Sequence, residues 1–345
     1  MQYPGTSRAF TDTFTSLLEM FMSEIPLLSA VDLHKTFRAS SRSHPNRSLT
    51  ALDHVSLGLL TGETLGIAGE SGCGKSTLAK IMAGLLTPDS GSVHYKGSQL
   101  SLLGQNERTV FRRKTQMIFQ DPFSSLNPRM RIGDSITEPL KIAGLSAPIQ
   151  RTELARIMAA VGLHRDAANR FPDEFSGGQR QRIGIARALA ASPEILIADE
   201  PVSSLDISIQ AQIINILLQM KVDFALSMMI VSHNLLILRH ICDRIIIMYL
   251  GAIVESGSAS EIFSRCRHPY TEALIAAIPG YNTSGVSRSE LLRDDLPSAM
   301  SIPAGCRFHP RCRHSVDLCR HEVPLLKESP NGHFAACHLS DQLYD

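Results

Sequence analysis

Gly69-Glu-Ser-Gly-Cys-Gly74-Lys75-Ser76-Thr77 fits the pattern G-x-x-x-x-G-K-[ST]. A short apolar segment, Thr64–Ala68, precedes it, and a helical pattern follows it. In this order of strand, turn and helix, glycines let the backbone curl so that successive N–H groups face a phosphate, and the positive end of the helix faces it too. The stretch therefore predicts a loop that binds the phosphates of a nucleotide.

Individual residues of this loop have separate predicted roles. Lys75 is long enough to reach the β- and γ-phosphates, and the hydroxyl of Ser76 can ligate magnesium. A chance glycine-rich turn is the alternative, but the flanking strand and helix argue against it. We expect the following residues to line the phosphates: Gly69, Glu70, Ser71, Gly72, Cys73, Gly74, Lys75, Ser76 and Thr77.

Two carboxylates come directly after a second apolar strand, Ile195–Ala198. Asp199 suits a magnesium site, directly or through water, and Glu200 suits a general base for the attacking water. Adjacent carboxylates at a solvated strand end are common, so the pair alone would be a weak signal. The phosphate loop about 125 residues earlier makes the catalytic interpretation the stronger one.

Strands and helices alternate along the middle of the chain. Residues 29–65 alternate in short segments typical of β-structure, whereas residues 134–192 are mostly helical in pattern. The strand Met228–Val231 follows a helical run, Ile209–Met220. Such alternation indicates an α/β fold with a parallel sheet whose chemistry lies at the strand ends.

The segment FSGGQ at 175–179 precedes a helical run that extends to Ala191. Ser176 is a candidate N-cap, and the N–H groups at the start of such a helix form a second anion site. With this segment upstream of the acidic strand end, the order of motifs resembles the ABC ATPase family over about residues 29–265. That resemblance implies a P-loop NTPase cassette with a parallel-sheet core, an antiparallel β-subdomain and a helical signature subdomain at about 122–190.

The family resemblance implies contacts between two subunits, because ABC cassettes pair head to tail. The signature segment of one cassette closes on the ATP held by the phosphate loop of the other, and adds positive dipole near the γ-phosphate. The residues implied in this contact are Ser176, Gly177, Gly178 and Gln179. The segment Ser204-Leu205-Asp206 resembles the D-loop, which lies across the same interface.

Three further positions carry over from the family. Gln120 resembles the Q-loop glutamine, which touches magnesium and senses the membrane subunit. His233 resembles the switch histidine near the γ-phosphate, although Asn234 follows it where aspartate is more usual. Phe37 resembles the aromatic residue that stacks on adenine, and a core aromatic is the alternative. The implied magnesium ligands are Ser76, Gln120 and Asp199.

Residues 266–345 are rich in Pro, Arg, His and Cys and form a predicted C-terminal extension. The run RHPYTEAL, Arg267–Leu274, resembles a segment of oligopeptide and dipeptide importer ATPases. Four cysteines follow, as in those members that bear a 4Fe–4S cluster; they are Cys306, Cys312, Cys319 and Cys337. Four thiolates can hold such a cluster or one zinc ion, and unligated thiols are the third alternative. The spacing lacks the paired C-x2-C usual for zinc, which favours iron–sulfur.

Bulk composition argues against several classes of protein. The chain has 345 residues, with 34 Lys plus Arg against 33 Asp plus Glu. It therefore lacks the excess of positive charge that is typical of nucleic-acid-binding proteins. No run approaches the roughly 18 apolar residues of a membrane span. We expect residues 1–28 to form a tail. Either a natural start at Met22 or an amphipathic helix at Phe10–Met22 explains residues 1–21.

The resemblance as a whole implies an ATP-hydrolysing subunit of a peptide-class importer. Its implied partners are a second ATPase subunit, identical or paralogous, two membrane permeases and an extracytoplasmic substrate-binding protein. Its implied location is the cytoplasmic face of the inner membrane, as a peripheral protein. Importers of nickel, glutathione or antimicrobial peptides share the machinery, and a soluble non-transport ABC ATPase is a more distant alternative. Intact Glu200 and His233 argue against a regulatory subunit that does not hydrolyse ATP.

Overall fold

The computed structural model describes residues 25–38, 48–121, 126–203, 205–278, 280, 300–329 and 332–344. The predicted tail lies outside these ranges except for residues 25–28, and so does the alternative helix Phe10–Met22. Ser204 of the D-loop segment and residues 122–125, at the start of the predicted helical subdomain, also lie outside them.

Strands and helices are numbered in chain order. The strands are β1 (Leu28–Arg38), β2 (Ser48–Leu59), β3 (Thr64–Ala68), β4 (Ser90–Tyr95), β5 (Ser98–Gln99), β6 (Thr115–Ile118), β7 (Ile195–Asp199), β8 (Ser227–Val231), β9 (Arg244–Tyr249), β10 (Ala252–Ser258), β11 (Lys327–Ser329) and β12 (His333–Ala335). The α-helices are α1 (Lys75–Met82), α2 (Gln105–Lys114), α3 (Ile132–Ile142), α4 (Ala147–Ala160), α5 (Gly177–Ala190), α6 (Ile207–Asp223), α7 (Leu235–Ile241), α8 (Ala259–Ser264), α9 (Pro269–Ala276), α10 (Asp317–His321) and α11 (Ser340–Tyr344).

The described residues divide into two compact units. The first includes the described parts of Met1–Leu60, Leu65–Leu102 and His233–Asp345, and the second those of Thr61–Thr64 and Leu103–Ser232. The phosphate loop and the C-terminal extension therefore belong to the first unit. The acidic strand end and the signature segment belong to the second.

Two sheets form the first unit. One is antiparallel with the strand order β2-β1-β4-β5, in which Leu28 pairs with Leu59 and Leu33 with Val55. In the other, β3 pairs with β9 in parallel, and β10, β12 and β11 continue from β9 in antiparallel order. The β-structure predicted for residues 29–65 is confirmed, and most of it lies in the antiparallel sheet.

The C-terminal extension contributes strands to the sheet that holds β3. In the pairing of β12 with β10, Phe334 lies opposite Ser256, and its side chain is buried. His333 places its Nε2 2.7 Å from Oε1 of Glu255, and both side chains are buried. The extension is thus held to the first unit by backbone pairing and by a buried polar contact.

The second unit combines a parallel sheet with helices. Strand β7 lies between β6 and β8, with Ile118 opposite Ala198 and Asp199 opposite Val231. Every residue of β7 is buried, which is typical of a central strand covered on both faces. The predicted helical region is confirmed as α3, α4 and α5, and the apolar face of α4 buries Ile157 and Met158. Within the described ranges, no helix combines the length and apolar character needed to cross a bilayer.

Candidate nucleotide-binding and hydrolysis site

The phosphate loop joins β3 to α1 in the first unit. Its backbone enters the left-handed region at Gly69 and at Gly74, with φ angles of 147° and 105°. Gly74 is the N-cap of α1, and its carbonyl accepts a hydrogen bond from the N–H of Leu78 at 2.9 Å. Glycine adopts these angles without the steric cost that a Cβ atom imposes. The loop therefore has the strand–turn–helix conformation that the sequence predicts.

Lys75 is held inside the loop. Its Nζ donates to the carbonyl oxygens of Gly69 at 2.7 Å and Glu70 at 2.8 Å, and only 5% of the residue is exposed. A buried ammonium group is stable only when its donors are satisfied, and the loop's own carbonyls do this. The charge of Lys75 is thereby placed within the curve of the loop.

Glu70 connects the loop to the C-terminal extension. Its backbone N–H donates to the hydroxyl of Tyr270 at 2.9 Å. Its two carboxylate oxygens accept from Nη1 and Nη2 of Arg311 at 2.7 and 3.1 Å. Neither Tyr270 nor Arg311 was predicted as a site residue, because they lie 200 and 241 positions away along the chain. Only their place in the importer-like segments RHPYTEAL and the cysteine-rich run marks them in the sequence.

Two other predicted ATP contacts also lie in the first unit. Phe37 is 38% exposed, so the alternative of a core aromatic is wrong. The centroid of its ring lies 5.7 Å from Nζ of Lys35. His233 is exposed and directly precedes Asn234, the N-cap of α7. The Asn234 side chain accepts from the N–H of Leu236 at 3.0 Å, a capping role that asparagine and aspartate fill about equally well.

The acidic strand end of the second unit brings together residues that lie 80 positions apart. Asp199 ends β7 and is 3% exposed. Next to it, the carboxylate of Glu200 accepts a hydrogen bond from Nε2 of Gln120 at 3.0 Å. Gln120 follows the end of β6, the strand adjacent to β7. The pairing of two parallel strands thus places the Q-loop glutamine and the predicted general base together.

The backbone of Glu200 is strained. Its φ angle is 46°, in the left-handed region that residues other than glycine seldom adopt. Two hydrogen bonds stabilise this conformation. The N–H of Glu200 donates to the carbonyl of Val231 at 3.0 Å, and its carbonyl accepts from Ser203 Oγ at 3.2 Å. Strained backbone of this kind is common at functional sites.

The signature segment begins helix α5, also in the second unit. Ser176 is confirmed as the N-cap: its Oγ accepts from the N–H of Gln179 at 3.4 Å, and Gln179 Oε1 accepts from the N–H of Ser176 at 3.1 Å. Gly178 is buried against Ile209 of α6, where a Cβ atom would overlap with the isoleucine side chain. Asp206 is the exposed N-cap of α6. Ser176 and Gln179 are exposed on the surface of their unit.

The four C-terminal cysteines lie close enough to influence each other electrostatically. Burial, together with smaller contributions from the other three cysteines, raises the pKa of Cys306 to about 12. Burial likewise raises the pKa of Cys337 to about 11, with contributions from Cys312 and Cys319. The carbonyl of Cys319 accepts from the N–H of Cys306 at 2.8 Å. The tertiary structure therefore gathers the four thiols in one part of the extension.

The structure does not support a metal site at these thiols. Across the described ranges, no three His, Cys, Asp or Glu side chains converge closely enough to hold a metal ion. A zinc ion binds sulfur at about 2.3 Å, so its four ligands must converge closely. The zinc alternative therefore lacks a site of that kind here. The predicted 4Fe–4S cluster is likewise not supported by any group of ligands found in the described structure.

The sequence matches two protein families and is similar to ATP-binding proteins of peptide transport. Residues 52–203 match the ABC transporter family, and residues 254–319 match the family described as the C-terminal region of oligopeptide/dipeptide transporters. A Brucella ovis ATP-binding protein, provisionally named for peptide import, is 44% identical over 317 residues, which cover 92% of this chain and 98% of that protein. The oligopeptide transport ATP-binding protein AppF of Bacillus subtilis is 46% identical over 293 residues, 84% of this chain and 89% of its own length.

A solved structure has the same fold. An ATP-binding cassette determined as a dimer in a post-hydrolysis state, bound to ADP and phosphate, superposes with a TM-score of 0.61 and 28% sequence identity. The superposition covers 67% of this chain and 98% of that chain. The predicted fold is confirmed: a cassette of the P-loop NTPase type with a mixed α/β sheet.

Proposed function

This chain belongs to the ATP-binding subunits of ABC importers of the oligopeptide and dipeptide class, and on that premise we propose how its residues hydrolyse ATP. The reaction is an in-line attack of water on the γ-phosphate, and the energy released drives peptide transport by the membrane subunits. The observation that carries the proposal is the strained Glu200, whose carboxylate is held by Gln120.

Glu200 is the residue that accepts the proton of the attacking water. The left-handed backbone and the hydrogen bond from Gln120 Nε2 give its carboxylate one direction, which a general base needs in order to orient its water. Lys75 and the N–H groups of the phosphate loop bind the β- and γ-phosphates. His233 contacts the γ-phosphate, and Phe37 stacks on adenine.

Magnesium is the metal that the chemistry of this site requires. Asp199, the Ser76 hydroxyl and the amide oxygen of Gln120 would hold it, since all three offer the hard oxygen ligands that Mg²⁺ prefers. Gln120 uses its amide nitrogen toward Glu200, so its oxygen remains the ligating atom. When bound, the ion neutralises negative charge on the phosphates. The buried carboxylate of Asp199, 3% exposed, fits a cation ligand.

The signature segment acts on the nucleotide of a second cassette. Ser176 and Gln179 are exposed at the start of α5, where N–H groups and the helix dipole favour an anion. The related cassette solved as a dimer supports a paired arrangement. We propose that the second cassette is a paralogue and that the pair docks on two permeases at the cytoplasmic face of the inner membrane. An extracytoplasmic binding protein delivers the peptide, and nucleic acid is not a partner.

The isolated chain is expected to hydrolyse ATP poorly. A single cassette lacks the signature contacts that its partner supplies to the transition state, and one such donor is typically worth a factor of about 100 to 1,000 in turnover. The measurement is ATPase activity per molecule against protein concentration, first for the chain alone and then with its partner cassette and permeases. Activity per molecule should rise with concentration and rise further on assembly.

Ser176→Arg provides the control for this experiment. It blocks the surface of the signature segment without touching the phosphate loop, so ATP binding should persist while assembled turnover is lost. A strictly monomeric preparation with full activity at every concentration would contradict the paired mechanism.

We also propose that the extension holds an iron–sulfur cluster, because the sequence offers four cysteines as a ligand set. The other three cysteines contribute to the raised pKa of Cys306, and Cys312 and Cys319 contribute to that of Cys337, as neighbouring ionisable thiols do. A cubane of four irons is larger than one ion, so its thiolates need not converge as those of a zinc site do. The extension also exposes much of its apolar surface, including Val316 at 41% and Leu318 at 44%. A structural cluster would compensate for this small core.

Anaerobically purified protein is expected to contain about four irons per chain. Metal analysis and visible absorption from thiolate-to-iron charge transfer measure this directly. Cys319→Ser should lower iron content and solubility, whereas Cys242→Ser, at a cysteine of the cassette, should leave iron content unchanged. Zinc at one ion per chain without iron would replace the cluster by a four-thiolate zinc site. Unchanged metal content in Cys319→Ser would remove the site altogether.

A further inference from the structure

We propose that Arg311 of the C-terminal extension is a positioning residue of the nucleotide site. It holds Glu70 of the phosphate loop and neutralises its charge, so that the loop accepts the phosphates of ATP. The proposal rests on the proposed function, and it makes the cysteine-rich extension a working part of ATP binding in addition to its place in the sheet.

The contact between Arg311 and Glu70 has the geometry of a strong ion pair. Two guanidinium nitrogens meet the two carboxylate oxygens at 2.7 and 3.1 Å, and the side chains are 4% and 16% exposed. A bidentate, shielded pair of this kind is stronger and more directional than a surface salt bridge. Arg311 therefore fixes both the position and the orientation of the Glu70 carboxylate.

The extension also holds the backbone of Glu70. The hydroxyl of Tyr270, a fully buried residue, accepts the Glu70 N–H at 2.9 Å. Tyr270 is locked in place by aromatic packing, with ring centroids 4.6 Å from Tyr249 and 5.5 Å from Phe308. This cluster unites the extension with β9, so the hydroxyl cannot shift independently of the sheet.

Glu70 passes this restraint directly to the phosphate-binding lysine. Its carbonyl oxygen accepts from Lys75 Nζ at 2.8 Å and lies 3.3 Å from the N–H of Cys73. The side chain, N–H and C=O of this one residue are thus all engaged. Two of the three groups are held by the extension, and the third contacts the lysine expected at the β- and γ-phosphates.

Charge gives Arg311 a second role. The Glu70 carboxylate lies close enough to Cys73 of the loop to add to the effect of burial, the larger cause, in raising the pKa of that thiol. An unpaired carboxylate at this point would repel the polyphosphate of ATP, because like charges separated by little water interact strongly. Arg311 cancels that repulsion.

Other contacts already anchor the extension to the first unit. The guanidinium of Arg307 hydrogen-bonds to the carboxylate of Asp53 and to the carbonyl of Leu250, and β12 pairs with β10. Loss of Arg311 would therefore leave the extension attached. For this reason, nucleotide affinity and thermal stability are expected to separate in the variants.

The test compares the affinity of the purified full chain for adenylyl imidodiphosphate, a non-hydrolysable ATP analogue, measured with Mg²⁺ by titration calorimetry. Arg311→Met should raise the Kd about tenfold, the usual scale for a lost charge-assisted hydrogen bond next to a binding site. Adding Glu70→Gln to Arg311→Met should recover most of that loss, because the repelling charge is gone. Tyr270→Phe removes only the hydroxyl and should raise the Kd severalfold.

Arg313→Met is the matched control. Arg313 follows Cys312 as Arg311 precedes it, but it pairs with Glu272 of the extension at 3.1 Å. Its loss should change the Kd less than twofold. Equal Kd values for Arg311→Met and wild type would overturn the proposal, as would equal losses in Arg311→Met and Arg313→Met without rescue by Glu70→Gln.

Two further outcomes are distinguishable. If Arg311→Met does not fold, Tyr270→Phe decides, and a Kd within twofold of wild type for that variant overturns the proposal. If the folded wild-type chain does not bind the analogue at all, the proposed ATPase function fails as well as the inference.

Discussion

Glu200→Gln is expected to abolish steady-state ATP hydrolysis in the assembled complex while ATP binding stays intact. The substitution keeps the shape of the side chain and an oxygen that can accept from Gln120, but it removes the base that takes the proton of water. General-base catalysis typically contributes a factor of about 100 to 10,000 in rate. Turnover should fall by at least the lower figure, with the Kd for ATP changed little because Lys75 and Asp199 remain.

Glu194→Gln is the control for this variant. Glu194 lies just before the other end of β7 and pairs with Lys114 at 3.2 Å. The same chemical change there should leave turnover near wild type. Near-normal turnover in Glu200→Gln would contradict the assignment of Glu200 as the base. Equal losses of turnover in the two variants would indicate that the substitutions damage the sheet.

Gly74→Ala is expected to destroy the phosphate loop as a binding site. The φ angle of Gly74 is 105°, and a Cβ atom there would overlap with the carbonyl oxygen of Ala51. The left-handed conformation alone costs about 1–2 kcal/mol for a residue with a side chain, and backbone cannot yield as a flexible side chain can. The variant should show a lower Tm and no measurable ATP binding under conditions that saturate the wild type.

Gly72→Ala separates the two causes. Gly72 also has a positive φ, 80°, but a Cβ atom there meets nothing within 4 Å. It therefore adds backbone strain without a clash, and without nucleotide its Tm should fall less than that of Gly74→Ala. Equal reductions in Tm would show that strain alone, and not the close approach of Ala51, explains the need for glycine at position 74.

Local spacing in the sequence was enough to predict the elements of the nucleotide site. The strand–glycine–helix order at 64–82, the buried strand before Asp199 and the cap at Ser176 all appear as predicted. These features depend on residues a few positions apart, and their conformations follow from turn chemistry, capping and burial of short apolar runs. The order of such motifs also identified the family.

Contacts between distant segments were decided by the tertiary structure. Gln120 meets Glu200 across 80 positions, and Arg311 meets Glu70 across 241. No periodicity or local propensity encodes such pairs, because they depend on which strands lie side by side and where the extension packs. Phe37 is a similar case, since its sequence suited either a core or an exposed aromatic and only the fold shows that it is exposed.

Some features of the cysteine-rich extension follow from the sequence, and others are decided only by folding. The sequence shows its four cysteines as candidate metal ligands, because composition and spacing determine which donor atoms are available. Whether sulfurs converge depends on the path of the chain, and the structure gathers the thiols without closing a site for a single ion. The same packing decided that the extension contacts the phosphate loop, since an ion pair forms only where folding places the two side chains together and shields them from water.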